Sequence, residues 1–162
     1  MQGKSCIFIM SNTYTQIHIQ AVFAVQNRES LISKTWRERL YQYASGITQT
    51  NGHKLLAVGG MPDHVHLLIG MRPTQSLSGL MQDIKSGTSG WINKQRLTLG
   101  RFSWQEGYGA FSYSRSQVPQ VIRYIANQEK HHAARTFADE YRHILTSLGI
   151  PFDERFLFTP VN

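Results

Sequence analysis

Residues 13–25, TYTQIHIQAVFAV, alternate in character: Ile17, Ile19, Ala21, Phe23 and Val25 share one face, and Tyr14, Gln16, His18 and Gln20 share the other. The pattern predicts a strand with one buried and one polar face. From Ser33, a good N-cap, the period lengthens. Trp36, Leu40, Tyr43, Ala44 and Ile47 recur at helical spacing until Asn51-Gly52 stops the run. A short strand over 53–60 follows, then a turn at Met61-Pro62 and the apolar run HVHLLIG. Leu77, Leu80, Met81, Ile84, Thr88, Trp91 and Ile92 make a second helical stripe, weakened by Gly87 and Gly90. Residues 101–114 are aromatic and β-prone, predicting a bulged strand kinked at Gly107 and Gly109. Val118-Pro119 opens a helix running to about His132. A last helix is predicted over 136–149, between Thr136 and the Gly149–Pro151 stop.

The order is β-α-β-β-α-β followed by two C-terminal helices. An α+β fold is expected, a ferredoxin-like antiparallel sheet with both early helices on one face. The first and third strands would be central neighbours. Side chains in a strand alternate, so Val65, Leu67 and Ile69 would face the helices. His64 and His66 would point together to the other side, with His18 and Gln16 on the adjacent strand. The helix over 118–132 is the available cover for that side. On it, Tyr124 and Gln128 sit four residues apart, one turn above the other.

Composition narrows the partners. With 162 residues the chain holds one domain with a real core. Seventeen Lys and Arg against ten Asp and Glu leave a net charge of +7, which suits a polyanion such as nucleic acid. A single cysteine, Cys6, excludes an internal disulfide framework and a cysteine-based zinc site. No apolar run approaches the ~20 residues of a membrane span, so a cytoplasmic protein is expected. Residues 1–10 read as a loosely held leader and 159–162 as a tail around one domain over 11–158.

Two imidazoles on one side of a rigid strand are half of a metal site, or two polar residues on a solvated sheet face. Gln128 can lend a carbonyl oxygen as a third, hard ligand, and Tyr124 a phenolic oxygen near the open coordination positions. Asp63, beside the pair, faces away from it in a regular strand. Metal-dependent amidohydrolases also use His-x-His but need a barrel of about 250 residues, which this chain cannot supply.

PDHVHLLI followed much later by RYIANQ resembles the single-tyrosine HUH transposases of bacterial insertion sequences and their relatives associated with repetitive extragenic palindromes. The resemblance runs from about Ser11 to Phe158. It implies a metal-dependent single-stranded DNA endonuclease and strand transferase that acts at hairpin-containing element ends in the bacterial cytoplasm, at the nucleoid. By it, His64, His66 and Gln128 are the metal ligands and Tyr124 is the nucleophile that forms a 5′-phosphotyrosine. The cofactor is a divalent metal, Mg²⁺ or Mn²⁺. Arg115, Arg123, Lys130, His131 and Arg135, with His18, are candidate DNA contacts, and Trp104 and Tyr108 could add stacking. A homodimer is also expected, because residues 101–114 would form a long, aromatic, uncovered edge. Tyr124 of one chain would then meet His64 and His66 of the other in at least one state. Two rival functions share these residues: a hydrolytic nuclease with water as nucleophile, and a domesticated nucleic-acid-binding module.

Overall fold

The computed structural model describes residues 8–10, 12–133 and 135–157. The expected tail and most of the expected leader lie outside these residues. Of the leader, β1 (Phe8–Met10) is described, paired antiparallel with β2 (Thr13–Thr15). The domain proper consists of β3 (Ile17–Ala24), α1 (Arg37–Thr50), β4 (Lys54–Met61), β5 (His64–Met71), α2 (Leu77–Lys94) and β6 (Gly109–Tyr113). Then come α3 (Val118–Ala126), α4 (Gln128–His132), α5 (Phe137–Ser147) and α6 (Glu154–Leu157). The sheet has the order β4-β5-β3-β6 with antiparallel pairs throughout, the ferredoxin-like arrangement expected. Among the described residues no helix is long and apolar enough to cross a membrane.

The alternation in β3 and β5 divides the molecule into two cores. Ala21, Phe23, Val65, Leu67 and Ile69 face α1 and α2, meeting Leu40, Ala44, Leu80, Met81 and Ile84. The opposite face is buried too, under the expected cover of the segment from Val118 and, in addition, under α5. Val118, Val121 and Ile125 of α3 pack on Leu68. Phe137 and Leu145 of α5, with Leu157, pack against Val22, Ala24 and Phe111. As a result all eight positions of β5 are buried, and any polar group on this strand must find its partners inside the protein.

Four local expectations change. Helix α1 begins at Arg37, not Ser33, because the Ser33 hydroxyl accepts from Thr35 N–H and winds a tight turn first. The helix expected over 118–132 breaks at Asn127 (φ −102°, ψ 24°), whose Nδ2 donates to the Arg123 carbonyl and caps α3. The strand expected over 101–114 is only Gly109–Tyr113. Before it, Phe102 and Trp104 turn into the core against Phe23 and each other, and Gly107 at φ 79° redirects the chain. The long aromatic edge therefore does not exist, and Trp104, whose Nε1–H donates to Thr88, is not placed to stack on a strand of DNA. Lastly, the register sets Val22 opposite His66 and Ala24 opposite His64. His18 lies opposite Gly70, well along the sheet from the pair.

One contact sets the depth of α3. A Cβ built on Gly59, which pairs with His66 across β4 and β5, would lie 2.4 Å from the carbonyl oxygen of Ile125. Any side chain there would push against helix backbone. Gly59→Ala should therefore destabilise the fold by about 1–3 kcal/mol. Gly90→Ala, on the exposed side of α2 with nothing within 4 Å of its Cβ, should stabilise it by up to about 1 kcal/mol. Opposite shifts of the thermal midpoint check the pair.

Candidate functional site

Strand β5 presents His64 and His66 on the face beneath α3 and α5, both fully buried, with ring centroids 5.1 Å apart. The Phe137 ring stacks on His64 at 4.0 Å and 14° and fixes its plane. The break at Asn127 turns Gln128 inward. It is 2% exposed, and its Oε1 lies 3.3 Å from His64 Nε2. Tyr124, at the end of α3, stands edge-on to His66 with ring centroids 5.9 Å apart. His64, His66, Gln128 and Tyr124 thus meet in one place within a single chain.

A residue that the sequence did not single out joins them. Glu140 of α5 is 5% exposed. Its carboxylate oxygens lie 3.4 Å from His64 Nε2 and 3.3 Å from His66 Nε2. It accepts a hydrogen bond from Gln128 Nε2 at 3.1 Å and another from the Tyr124 hydroxyl. The available signal was its position three residues after Phe137, on the buried stripe of α5, where a glutamate needs a reason.

Each histidine also has a partner at Nδ1. Asp63 does not face away from the pair; its Oδ1 accepts from His64 Nδ1 at 2.7 Å, across the turn that opens β5. That bond fixes the proton on Nδ1 and directs Nε2 at Gln128 and Glu140. Gln20 lies 3.0 Å from His66 Nδ1 through its amide nitrogen, and its Oε1 accepts from the Tyr113 hydroxyl at 2.9 Å. Turning the amide over keeps the same heavy-atom contacts. In that orientation a neutral His66 donates from Nδ1–H to Gln20 and Gln20 donates to Tyr113, which puts the lone pair of the neutral ring at Nε2.

The electrostatics follow from this crowding. Burial alone would push the Glu140 carboxyl up, but the bonds from His64 and His66, the charge on His66 and the Tyr124 hydroxyl hold it well below the usual carboxylate range. Burial raises the Tyr124 phenol, and the Glu140 bond and charge raise it further, so it is neutral at any ordinary pH. Burial opposes charge on His64, yet Asp63 and Glu140 raise its pKa above the usual histidine value. The donor set fits a divalent cation. Two imidazole nitrogens and a carboxylate, all buried, place ligand atoms within 4.8 Å of one another, with an amide oxygen adjacent.

The remaining candidates divide by burial. Arg115, Arg123, Lys130, His131 and Arg135 are all exposed. The His131 ring packs on that of Tyr124 at 4.8 Å. His18 is only 2% exposed, and burial lowers its pKa. Tyr108 is 38% exposed. Beside Gln128 a cleft of about 270 Å³ opens between α1 and α4, bordered by Arg37, Tyr41, Gly59 and Lys130.

A family model described as "Transposase IS200 like" matches residues 13–128. The ISDra2 transposase TnpA of Deinococcus radiodurans is 24% identical over 119 residues, spanning 70% of this chain and 84% of that protein. Two solved structures share the fold. A crystal structure of a candidate transposase from Deinococcus radiodurans R1 has a TM-score of 0.60 at 23% identity and covers 75% of this chain and 98% of its own. A REP-associated tyrosine transposase bound to a REP hairpin has a TM-score of 0.56 at 15% identity over 94% of each chain.

The partners at the two Nδ1 atoms generate a prediction. Asp63→Ala and Gln20→Leu should each weaken Mn²⁺ binding, measured calorimetrically without DNA, by on the order of 10–100-fold. Circular dichroism should remain that of the wild type. Unchanged affinity in both variants would mean that these partners do not orient the histidines.

Proposed function

The chain belongs to the IS200-like transposases, and on that premise we propose that it cuts and rejoins single-stranded DNA through a covalent 5′-phosphotyrosine on Tyr124. The observation that carries this reading is the convergence of Tyr124 and Gln128 on the buried pair His64 and His66. A hydroxyl nucleophile beside a cation-binding donor set is the arrangement phosphoryl transfer requires. His64, His66 and Gln128 would hold Mg²⁺ or Mn²⁺, which supplies Lewis-acid neutralisation of the scissile phosphate. Imidazole ligands favour manganese, and cellular abundance favours magnesium.

The protein's own part is positioning. Tyr124 Oη loses its proton and bonds to phosphorus, the bond from phosphorus to the 3′-oxygen breaks, and that oxygen leaves as a 3′-hydroxyl after taking a proton. The phosphodiester is exchanged and not hydrolysed, so a second 3′-hydroxyl can attack the phosphotyrosine and reseal a strand. Arg115, Arg123, Lys130 and Arg135 are exposed and in this reading would carry the incoming phosphates, with His131 packed on the Tyr124 ring. One relative in the fold is bound to a DNA hairpin, and hairpin ends of its own element are the substrate proposed here.

The tyrosine reaches the histidines of its own chain, and this supports chemistry in cis. A homodimer remains part of the proposal because β6 pairs with β3 on one side only, among the described residues. Sharing of the site between protomers would require α3 to leave its bed on Leu68, which buries Val118, Val121 and Ile125.

Single-stranded DNA from the ends of the element should give an adduct that survives denaturation. Tyr124→Phe should abolish the adduct with fold and DNA affinity nearly intact, because it removes one oxygen and no packing. His64→Ala, His66→Ala or EDTA should suppress cleavage, Gln128→Ala less so, and blunt duplex should not be cut. Cleavage without an adduct would indicate a hydrolytic nuclease instead, and binding without cleavage a recognition module. Mixing His64→Ala with Tyr124→Phe protein under verified subunit exchange should leave cleavage absent if the chemistry runs in cis. Recovered activity would put Tyr124 on the partner's site.

A further inference from the structure

Resting on the assignment of His64, His66 and Tyr124 above, we infer that Glu140, delivered by α5, is a metal ligand of the same site and holds Tyr124 at rest until a metal takes its carboxylate. Glu140 lies beyond residues 13–128, the span that matches the transposase family. The carboxylate is thus supplied by a segment outside that span. Helix α5 is anchored for the task. Thr136 accepts from Asp139 N–H at its start, and Phe137 and Leu145 are buried against the sheet. Phe137 also stacks on His64, so the helix that brings the carboxylate fixes the ring beside it.

The geometry gives Glu140 two incompatible duties. Each carboxylate oxygen faces the Nε2 of a different histidine, at 3.4 and 3.3 Å. Those nitrogens are the ones the Nδ1 partners leave for a ligand role. Oε1, the oxygen facing His66, is also the acceptor for Gln128 Nε2 and for the Tyr124 hydroxyl. A cation between the two histidines and this carboxylate would draw on the same lone pairs. The Tyr124 hydroxyl then loses its acceptor and is released towards a phosphate. The Gln128 amide is freed to offer the Oε1 that already stands 3.3 Å from His64 Nε2. Without a cation, the bond to Glu140 would hold the nucleophile inside its own site.

A competition of this kind has a signature that a merely structural glutamate lacks: removing the Tyr124 hydroxyl should tighten metal binding. The full chain is titrated with Mn²⁺ by calorimetry, without DNA, as wild type, Glu140→Gln, Tyr124→Phe and His64→Ala. Thermal melting verifies that each variant is folded. Glu140→Gln keeps the side chain's size and is expected to lose on the order of 10–100-fold in affinity. Tyr124→Phe is expected to gain roughly tenfold, the scale of one hydrogen bond to a charged acceptor, and His64→Ala to lose binding. Wild-type affinity in Glu140→Gln while His64→Ala is weakened overturns the ligand role of Glu140 and leaves the histidine site standing. Wild-type affinity in His64→Ala overturns the site itself. The Tyr124→Phe arm does not depend on the fold of Glu140→Gln, and no gain there removes the claim that Glu140 holds the nucleophile.

Discussion

The structure depends on the burial of polar side chains between a sheet and the helices that cover it. His64, His66, Gln20, Gln128 and Glu140 are all nine-tenths buried or more. None can be left there without a partner except at a cost of several kcal/mol. The fold meets this constraint by making them one another's partners. Asp63 and Gln20 take the outer nitrogens of the histidines, Tyr113 takes Gln20, and Glu140 gathers both inner nitrogens with Gln128 and Tyr124. Such a network stands or falls as a unit. It also explains why one site draws on β3, β5, β6 and three separate helices.

Around that network the apolar residues act as a jig. Gly59 lets the Ile125 backbone come down onto β4, and Leu68 receives α3 directly beside the histidines. The aromatic ring of Phe137 does the same for α5. Small errors in any of these contacts would move Tyr124 or Glu140 by a fraction of an ångström, which the chemistry proposed for them would not tolerate well.

The strand order and the helical stripes were legible because they rest on periodicity, which a single sequence displays directly. The alternation of β3 and β5 placed the histidines on one face, and the stripe of α2 matched its buried residues. The residues behind the histidines were harder to see. Asp63 reads as a turn residue pointing away, and only the hairpin's curvature brings it to His64. Glu140 sits in TFADEYRH, where an acidic residue looks solvated until Phe137 is recognised as part of a buried stripe. The break at Asn127 depends on a side chain competing with the helix backbone, which propensity does not register. Residues 101–108 resemble a strand in composition, but the demand of the core for Phe102 and Trp104 prevailed over local preference.

The buried polar network also bears on the history of such a chain. Apolar residues of similar volume would serve the packing between sheet and helices at least as well, because a desolvated ionic cluster is commonly neutral or costly to stability. On the function proposed above, a copy released from cutting DNA would have no energetic reason to keep Glu140 opposite two histidines. Drift towards leucine or methionine at those positions would be tolerated or even rewarded in stability. The cluster, complete in this chain down to the second partner of His66, is therefore one that stability alone does not ask for.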